Sequence, residues 1–186
     1  MEKGTIILLN GVSSSGKTTL AHALVERLPG YFHLGIDDFD SLLERMEDRP
    51  HQRLIPVATE VFFHQTIAMF SDQGVPLVVD QILHNASTHV HCLQVLATYP
   101  VLFVGVHCPV EVLARRESAR GDRRVGQGQQ QLAFVHRQEI YDVEVNTELE
   151  SRAACCDKII AWLQSGSYPD GWLQTCALVQ HNVSNE

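Results

Sequence analysis

At 186 residues, with 45% hydrophobic and 19% charged residues, the chain has the balance of one compact domain, too short for two ordinary ones and too apolar for a disordered segment. A formal charge of -8 and a pI near 5.6 argue against nucleic acid or an anionic membrane as the main partner, while leaving room for a small anion on a local basic patch. Five cysteines, at 92, 108, 155, 156 and 176, make neither an even disulfide set nor a C-x-x-C pair, and no apolar run approaches the ~18 residues of a membrane span; the expectation is reduced, mostly buried thiols in a cytoplasmic protein without a signal peptide.

The first element, Thr5-Ile6-Ile7-Leu8-Leu9-Asn10, is an apolar, β-branched strand, and residues 19–28 carry apolar side chains at helical spacing. Between them Gly11-Val12-Ser13-Ser14-Ser15-Gly16-Lys17-Thr18 fits the phosphate-binding loop in the order strand, loop, helix that such a loop needs. Its glycines let the backbone wrap a polyphosphate with successive N–H groups inward, the helix N-terminus adds partial positive charge, and Lys17 supplies a full one. Gly11, Ser13, Ser14, Ser15, Gly16, Lys17, Thr18 and Thr19 form the expected nucleotide-binding set, with the Thr18 hydroxyl placed for Mg²⁺.

Residues 31–36 read as a second strand ending at Asp37-Asp38, and 41–46 as a helix broken by Glu47-Asp48-Arg49-Pro50. A second helical run, 57–73, closes at Gly74; Val75-Pro76-Leu77-Val78-Val79-Asp80 is then a third strand, apolar on both faces like a buried parallel strand. A helix at 89–97 leads to a fourth strand at 101–106, and Pro109 opens the next helix. The stretch 115–131 is polar, basic and Gly-containing; a helix is expected at 130–140, a short fifth strand at 142–145 and an amphipathic helix at 148–163. From Gly166 onward the periodicity is weak. The expected organisation is one domain at 1–165 and an irregular C-terminal appendage at 166–186 packed on it.

Alternating strands and helices of these lengths predict a five-stranded parallel sheet with helices on both faces, a P-loop NTPase, with its site at the strands' carboxyl ends. Asn10, Asp37 and Asp80 all lie at such ends. Phosphoryl transfer requires held phosphates, a held metal, neutralised charge and an aligned acceptor hydroxyl. Asp80, an acid ending an apolar strand, is the candidate metal ligand with Thr18. Asp37 is the candidate to orient, and to deprotonate, the acceptor hydroxyl. Asp38 and Asp40 at the same helix start read instead as helix-dipole acids. The stretch 115–124 holds five arginines and two acids, an island of positive charge in an acidic protein; guanidinium forks clamp phosphate oxygens and lie flat on adenine, so this is the expected lid over ATP. The histidines show no metal-like pairing beyond His89-x-His91, which falls in a helical segment, and Cys155-Cys156 reads as core of the last helix.

These residues resemble the chloramphenicol phosphotransferases and their relatives among P-loop kinases. The likeness covers most of the chain and is strongest in Val104-Gly105-Val106-His107-Cys108, in Arg116-Glu117-Ser118-Ala119-Arg120-Gly121-Asp122-Arg123, and in Val135-His136 followed by Tyr141-Asp142-Val143-Glu144-Val145-Asn146-Thr147. It implies a nucleotide-kinase-like fold with a short Arg-rich lid, ATP with Mg²⁺, and γ-phosphoryl transfer to a hydroxyl of an antibiotic-like small molecule. It also implies Asp37 as the base, Lys17 and Thr18 as the phosphate-loop pair, and Arg116, Arg120 and Arg123 as nucleotide and lid arginines. Two departures concern the acceptor: the stretch between Asp37 and Asp80 is shorter than in the family pattern, and the third strand ends Asp80-Gln81 where that pattern has two acids. The same core also suits a metabolite, sugar or nucleotide kinase, or an ATP-binding switch with slow hydrolysis.

Overall fold

Strand β1 (Ile6–Asn10) is buried along its whole length, and its alternation divides the core in two. Ile6 and Leu8 point into one cluster and Ile7 and Leu9 into another. In the computed structural model, which describes residues 2–120, 125–167 and 169–183 (Arg120 and 180–183 in backbone course only), five parallel strands form one sheet in the order β2-β3-β1-β4-β5. The others are β2 (Phe32–Gly35), β3 (Leu77–Gln81), β4 (Val101–His107) and β5 (Val143–Asn146). The registers Leu9 with Asp80 and Asn10 with Gly105 bring the ends of β3, β1 and β4 level.

On the Ile7/Leu9 face lie α1 (Lys17–Arg27), through Leu20 and Leu24, and α7 (Arg152–Gln164), through Cys155 and Ile159. On the Ile6/Leu8 face lie α3 (Thr59–Asp72), through Phe63 and Ile67, and α4 (Ala86–Leu96), through Leu93 and Leu96. A sheet covered on both faces explains why its central strands are apolar on both sides until their carboxyl ends, where Asn10, Asp80 and Gln81 appear. All five cysteines are buried and free. No helix among the described residues is long and apolar enough to cross a membrane.

Three segments differ from their sequence reading. The tail forms a helix, α8 (Gly171–Val183), whose Trp172, Cys176 and Val179 recur at helical spacing and join the Ile6/Leu8 core. Trp172 is fully buried with its Nε1–H donated to the Leu96 carbonyl at 3.0 Å, and Asp142 accepts the Asp170 and Gly171 N–H groups at 3.0 and 2.9 Å while also accepting Phe103 N–H at 2.8 Å. Pro169-Asp170-Gly171 reads as a turn in sequence; here it is the start of a helix clamped to β4. The helix expected at 130–140 is instead a short α6 (Gln127–Gln131) followed by turns, because His136 takes a left-handed φ of 65° that no helix continues through. Finally, the chain turns helical directly after Gly35, so Asp37 and Asp38 occupy the first turn of α2 (Ile36–Met46).

Candidate active site at the carboxyl ends of the strands

The phosphate loop leaves β1 under tight constraint. A side chain at Gly11 would bring its Cβ to 2.4 Å from the Val106 carbonyl oxygen, and Gly16 holds φ at 96°, so both positions require glycine. Ser14 shares the left-handed region at 62°. The Ser13, Ser14 and Ser15 hydroxyls are buried with no hydrogen-bond partner among the described residues. Buried polar groups are seldom left so, which marks a concavity shaped for a polar ligand. Lys17 is buried and donates from Nζ to the Val12 carbonyl at 2.9 Å, folding its ammonium over the loop.

A cavity of about 70 Å³ on the β3 side of the loop is walled by Ser13, Lys17, Thr18, Asp37, Asp80 and Ile82. It gathers the loop, the strand-end acid and the acid of α2 in one place. Asp80 is buried, with His33 Nε2 at 3.4 Å from Oδ1, a close contact too poorly directed to be a hydrogen bond; Oδ2 has no partner among the described residues. Burial pushes the Asp80 carboxyl up, but His33, Thr18 and the Lys17 charge together hold it below its ordinary value, so it stands ionised. An ionised, buried carboxylate with a free oxygen beside the Thr18 hydroxyl is a hard-oxygen donor set that fits a divalent cation such as Mg²⁺. Asp40, in contrast, is engaged elsewhere, accepting from the Thr59 hydroxyl at 2.7 Å to tie α2 to the start of α3.

On the other side of the loop opens a larger cavity of about 400 Å³, walled by Ser14, Thr19, Leu20, Arg116, Thr147 and Arg152 among others. Arg116 comes from α5 (Val110–Arg120) and lies across the loop, donating to the carbonyls of Ser14 and Ser15 at 3.3 and 3.4 Å and to the Thr147 hydroxyl and carbonyl at 3.0 and 3.1 Å. The Arg120 side chain and Arg123 lie outside the described residues.

Five polar residues, Glu117, Gln131, Asn10, Tyr141 and His136, brace the site in roles that the sequence alone does not assign to them. Glu117, 1% exposed, accepts the N–H groups of Gly126 and Gly128, both at 2.7 Å, fastening α6 to α5. Gln131 accepts the Ser13 N–H at 2.7 Å. Asn10, the last residue before the loop, accepts Leu83 N–H at Oδ1 and donates from Nδ2 to the Tyr141 hydroxyl. The Tyr141 hydrogen is thereby left for His136 Nδ1 at 2.7 Å, which places the His136 proton on Nε2. The partners of Asn10 and Gln131 lie 73 to 131 positions away in the chain, and those of Glu117 and His136 are set by turns without periodic signal.

A parallel sheet with a phosphate loop at its centre, a strand-end acid on one flank and a second acid reaching in from α2 define a P-loop kinase, a phosphotransferase that moves a phosphoryl group to a hydroxyl of a small molecule. The chain belongs to the chloramphenicol phosphotransferase-like protein family, whose model matches residues 4–164. A protein in two strains of Mycobacterium tuberculosis, named as a candidate O-phosphotransferase, is 31% identical over 172 aligned residues, spanning 79% of this chain and 76% of that one. Among solved structures, the tunicamycin resistance protein of Deinococcus radiodurans superposes with a TM-score of 0.67 at 23% identity, covering 88% of this chain and 96% of the other. A gluconokinase from Sinorhizobium meliloti gives 0.61 at 24%, covering 88% and 93%, and the Mycobacterium tuberculosis APS kinase gives 0.63 at 17%, covering 88% and 99%. These likenesses establish the shared fold.

Proposed function

We propose that the protein transfers the γ-phosphoryl group of ATP to a hydroxyl of a small molecule, a chloramphenicol-like antibiotic or a related compound. The observation that carries the reading is the single cavity shared by Lys17, Thr18, Asp80 and Asp37. In this reading the loop N–H groups and Lys17 bind the β- and γ-phosphates, Ser13, Ser14 and Ser15 line their cradle, and the base lies in the cavity beside Thr19 and Arg116. Thr18 and Asp80 would hold Mg²⁺, which would supply charge neutralisation to the phosphates.

Asp37 orients the acceptor hydroxyl and takes its proton. The acceptor oxygen forms a bond to the γ-phosphorus as the bond to the β,γ-bridging oxygen breaks, and that oxygen leaves with the electron pair on ADP. Arg120 and Arg123 meet the charge that shifts on the moving group when the lid closes. Residues 1–165 form the kinase domain and 166–186 an appendage of it, working in the cytoplasm where ATP and Mg²⁺ are abundant.

The test is incubation with ATP and Mg²⁺ in the presence of a pool of hydroxylated antibiotics, sugars and nucleosides, followed by mass spectrometry. The expected result is one or a few compounds gaining a phosphoryl group, with ADP release stimulated by the same compounds. Slow ATP hydrolysis indifferent to the pool would favour the regulatory switch instead.

A further inference from the structure

One peptide unit of the phosphate loop, that between Val12 and Ser13, is held from both edges. Its carbonyl accepts from Lys17 Nζ at 2.9 Å and from the Ser15 N–H at 3.2 Å, while its N–H donates to Gln131 Oε1 at 2.7 Å. Val12 and Ser13 are both buried. A planar trans peptide points its C=O and N–H in opposite directions, so Lys17 and Gln131 grip one rigid plate from opposite sides. Rotation of that plate would break all three bonds together.

Gln131 reaches the loop from 118 positions further along the chain, on a support that is itself fixed. Glu117 anchors α6 through the N–H groups of Gly126 and Gly128, both at 2.7 Å, and the Gln131 carbonyl accepts the N–H groups of Phe134 and Val135 at 3.0 and 2.9 Å. Gly128 lies so near the loop that a Cβ there would stand 2.9 Å from the Ser13 carbonyl oxygen, so the next peptide unit also abuts α6. Without the Gln131 oxygen, a buried N–H loses its acceptor and the plate is released to turn, which carries the Val12 carbonyl away from Lys17. An ammonium has three donors, so Lys17 can keep the Val12 carbonyl and still meet phosphate oxygens. Holding that geometry before the ligand arrives removes part of the ordering cost of binding.

We propose that Gln131 is a positioning residue for the phosphate loop: through the Val12–Ser13 peptide it sets the direction of the Val12 carbonyl, and so the place of the Lys17 ammonium, in the nucleotide-free protein. The assignment rests on the phosphotransferase reading above, in which Lys17 binds the β- and γ-phosphates, and makes α6 part of the nucleotide-binding apparatus although it touches no nucleotide.

Titration calorimetry of the full chain with a non-hydrolysable ATP analogue and Mg²⁺, beside urea denaturation without ligand, tests it. Gln131→Met, which keeps the side chain's length and removes the acceptor, weakens analogue binding by about tenfold or more, whereas Gln131→Glu, which keeps an acceptor oxygen, stays within about threefold of wild type. In denaturation the double variant of Gln131→Met with Lys17→Met departs from the sum of the two single changes, because both bonds end on the same peptide. Should Gln131→Met fail to fold, Gly128→Ala, whose Cβ drives α6 away from the Ser13 carbonyl, shows the tenfold loss in its place. The assignment is overturned if folded Gln131→Met, or Gly128→Ala standing in for it, binds the analogue like wild type, if Gln131→Glu loses as much as Gln131→Met, or if the changes at 131 and 17 simply add. Failure of the wild-type protein to bind the analogue sinks the nucleotide reading instead, so the two failures are distinguishable.

Discussion

Asn10 donates its amide N–H to the Tyr141 hydroxyl at 2.9 Å across 131 positions of sequence, joining the residue that launches the phosphate loop to the chain that follows the lid. The Asn10 orientation is fixed because its Oδ1 is occupied by the Leu83 N–H, and burial pushes the Tyr141 hydroxyl up so that it keeps its proton for His136. Tyr141→Phe leaves both Asn10 Nδ2 and His136 Nδ1 unpaired in a buried setting. A loss of about 1–3 kcal/mol in urea denaturation, with a raised KM for ATP, is the expected outcome; an unchanged midpoint would show that the chain of bonds contributes nothing.

The fold also makes the protein acid-sensitive in a stated window. His64 is fully buried, its Nε2 bonded to Gln81 Oε1 at 3.1 Å and its Nδ1 to His91 Nδ1 at 2.8 Å; burial, with His91 beside it, pushes it down to about 4. Between the ordinary histidine value of about 6.5 and that figure, the unfolded chain binds a proton that the folded chain refuses, so stability falls as pH falls. His136, pushed down to about 3 by burial and by His107 and Lys17, acts in the same sense. His64→Gln therefore flattens the decline between pH 6.5 and 4 by about 1–3 kcal/mol, measured by denaturation at several pH values. An identical slope in the variant would contradict this account.

Glu117 holds the base of the lid. Glu117→Ala removes the acceptor of two N–H groups, that of Gly128 buried and that of Gly126 half-buried, and a charged acceptor of this kind contributes about 1.5–3 kcal/mol per bond. A lower melting temperature together with a lower kcat is expected, with Glu117→Gln intermediate because it retains one acceptor oxygen. Stability loss without any change in kcat would confine Glu117 to a structural role.

In the proposed mechanism the lid arginines act on the transition state more than on ATP binding. Arg120→Ala and Arg123→Ala are expected to lower kcat more than they raise KM for ATP, at least one by on the order of 10²-fold, while Arg115→Ala and Arg124→Ala cost little. Equal losses in all four variants, measured by steady-state kinetics, would make the island a diffuse electrostatic patch.

Much of this was legible in the sequence because it is local. The phosphate loop is a contiguous motif, and the central strands announce themselves by apolar residues on both faces. Asp80 stands out as an acid that ends such a strand, and sheet order then brings Asp37 into its cavity. What stayed hidden depends on tertiary partners. Trp172, Cys176 and Val179 form a helical stripe that Pro169-Asp170-Gly171 masks, and only Asp142, far upstream, shows why that turn starts a helix. His136 breaks a helix that the residues of 130–140 would otherwise favour, and its Tyr141 partner gives no periodic signal. Glu117 reads as one acid among many arginines, yet it is buried.

The most direct test of the phosphotransfer account is Asp37→Asn, assayed with an acceptor taken from the compound pool. Asp37 is exposed on the first turn of α2 and lines the cavity of Lys17 and Asp80, so the account predicts an unchanged melting temperature, an unchanged affinity for a non-hydrolysable ATP analogue and a fall in kcat of about 10²–10⁴-fold. A variant whose kcat holds while its melting temperature drops would show that Asp37 serves the helix dipole alone, and would contradict the mechanism.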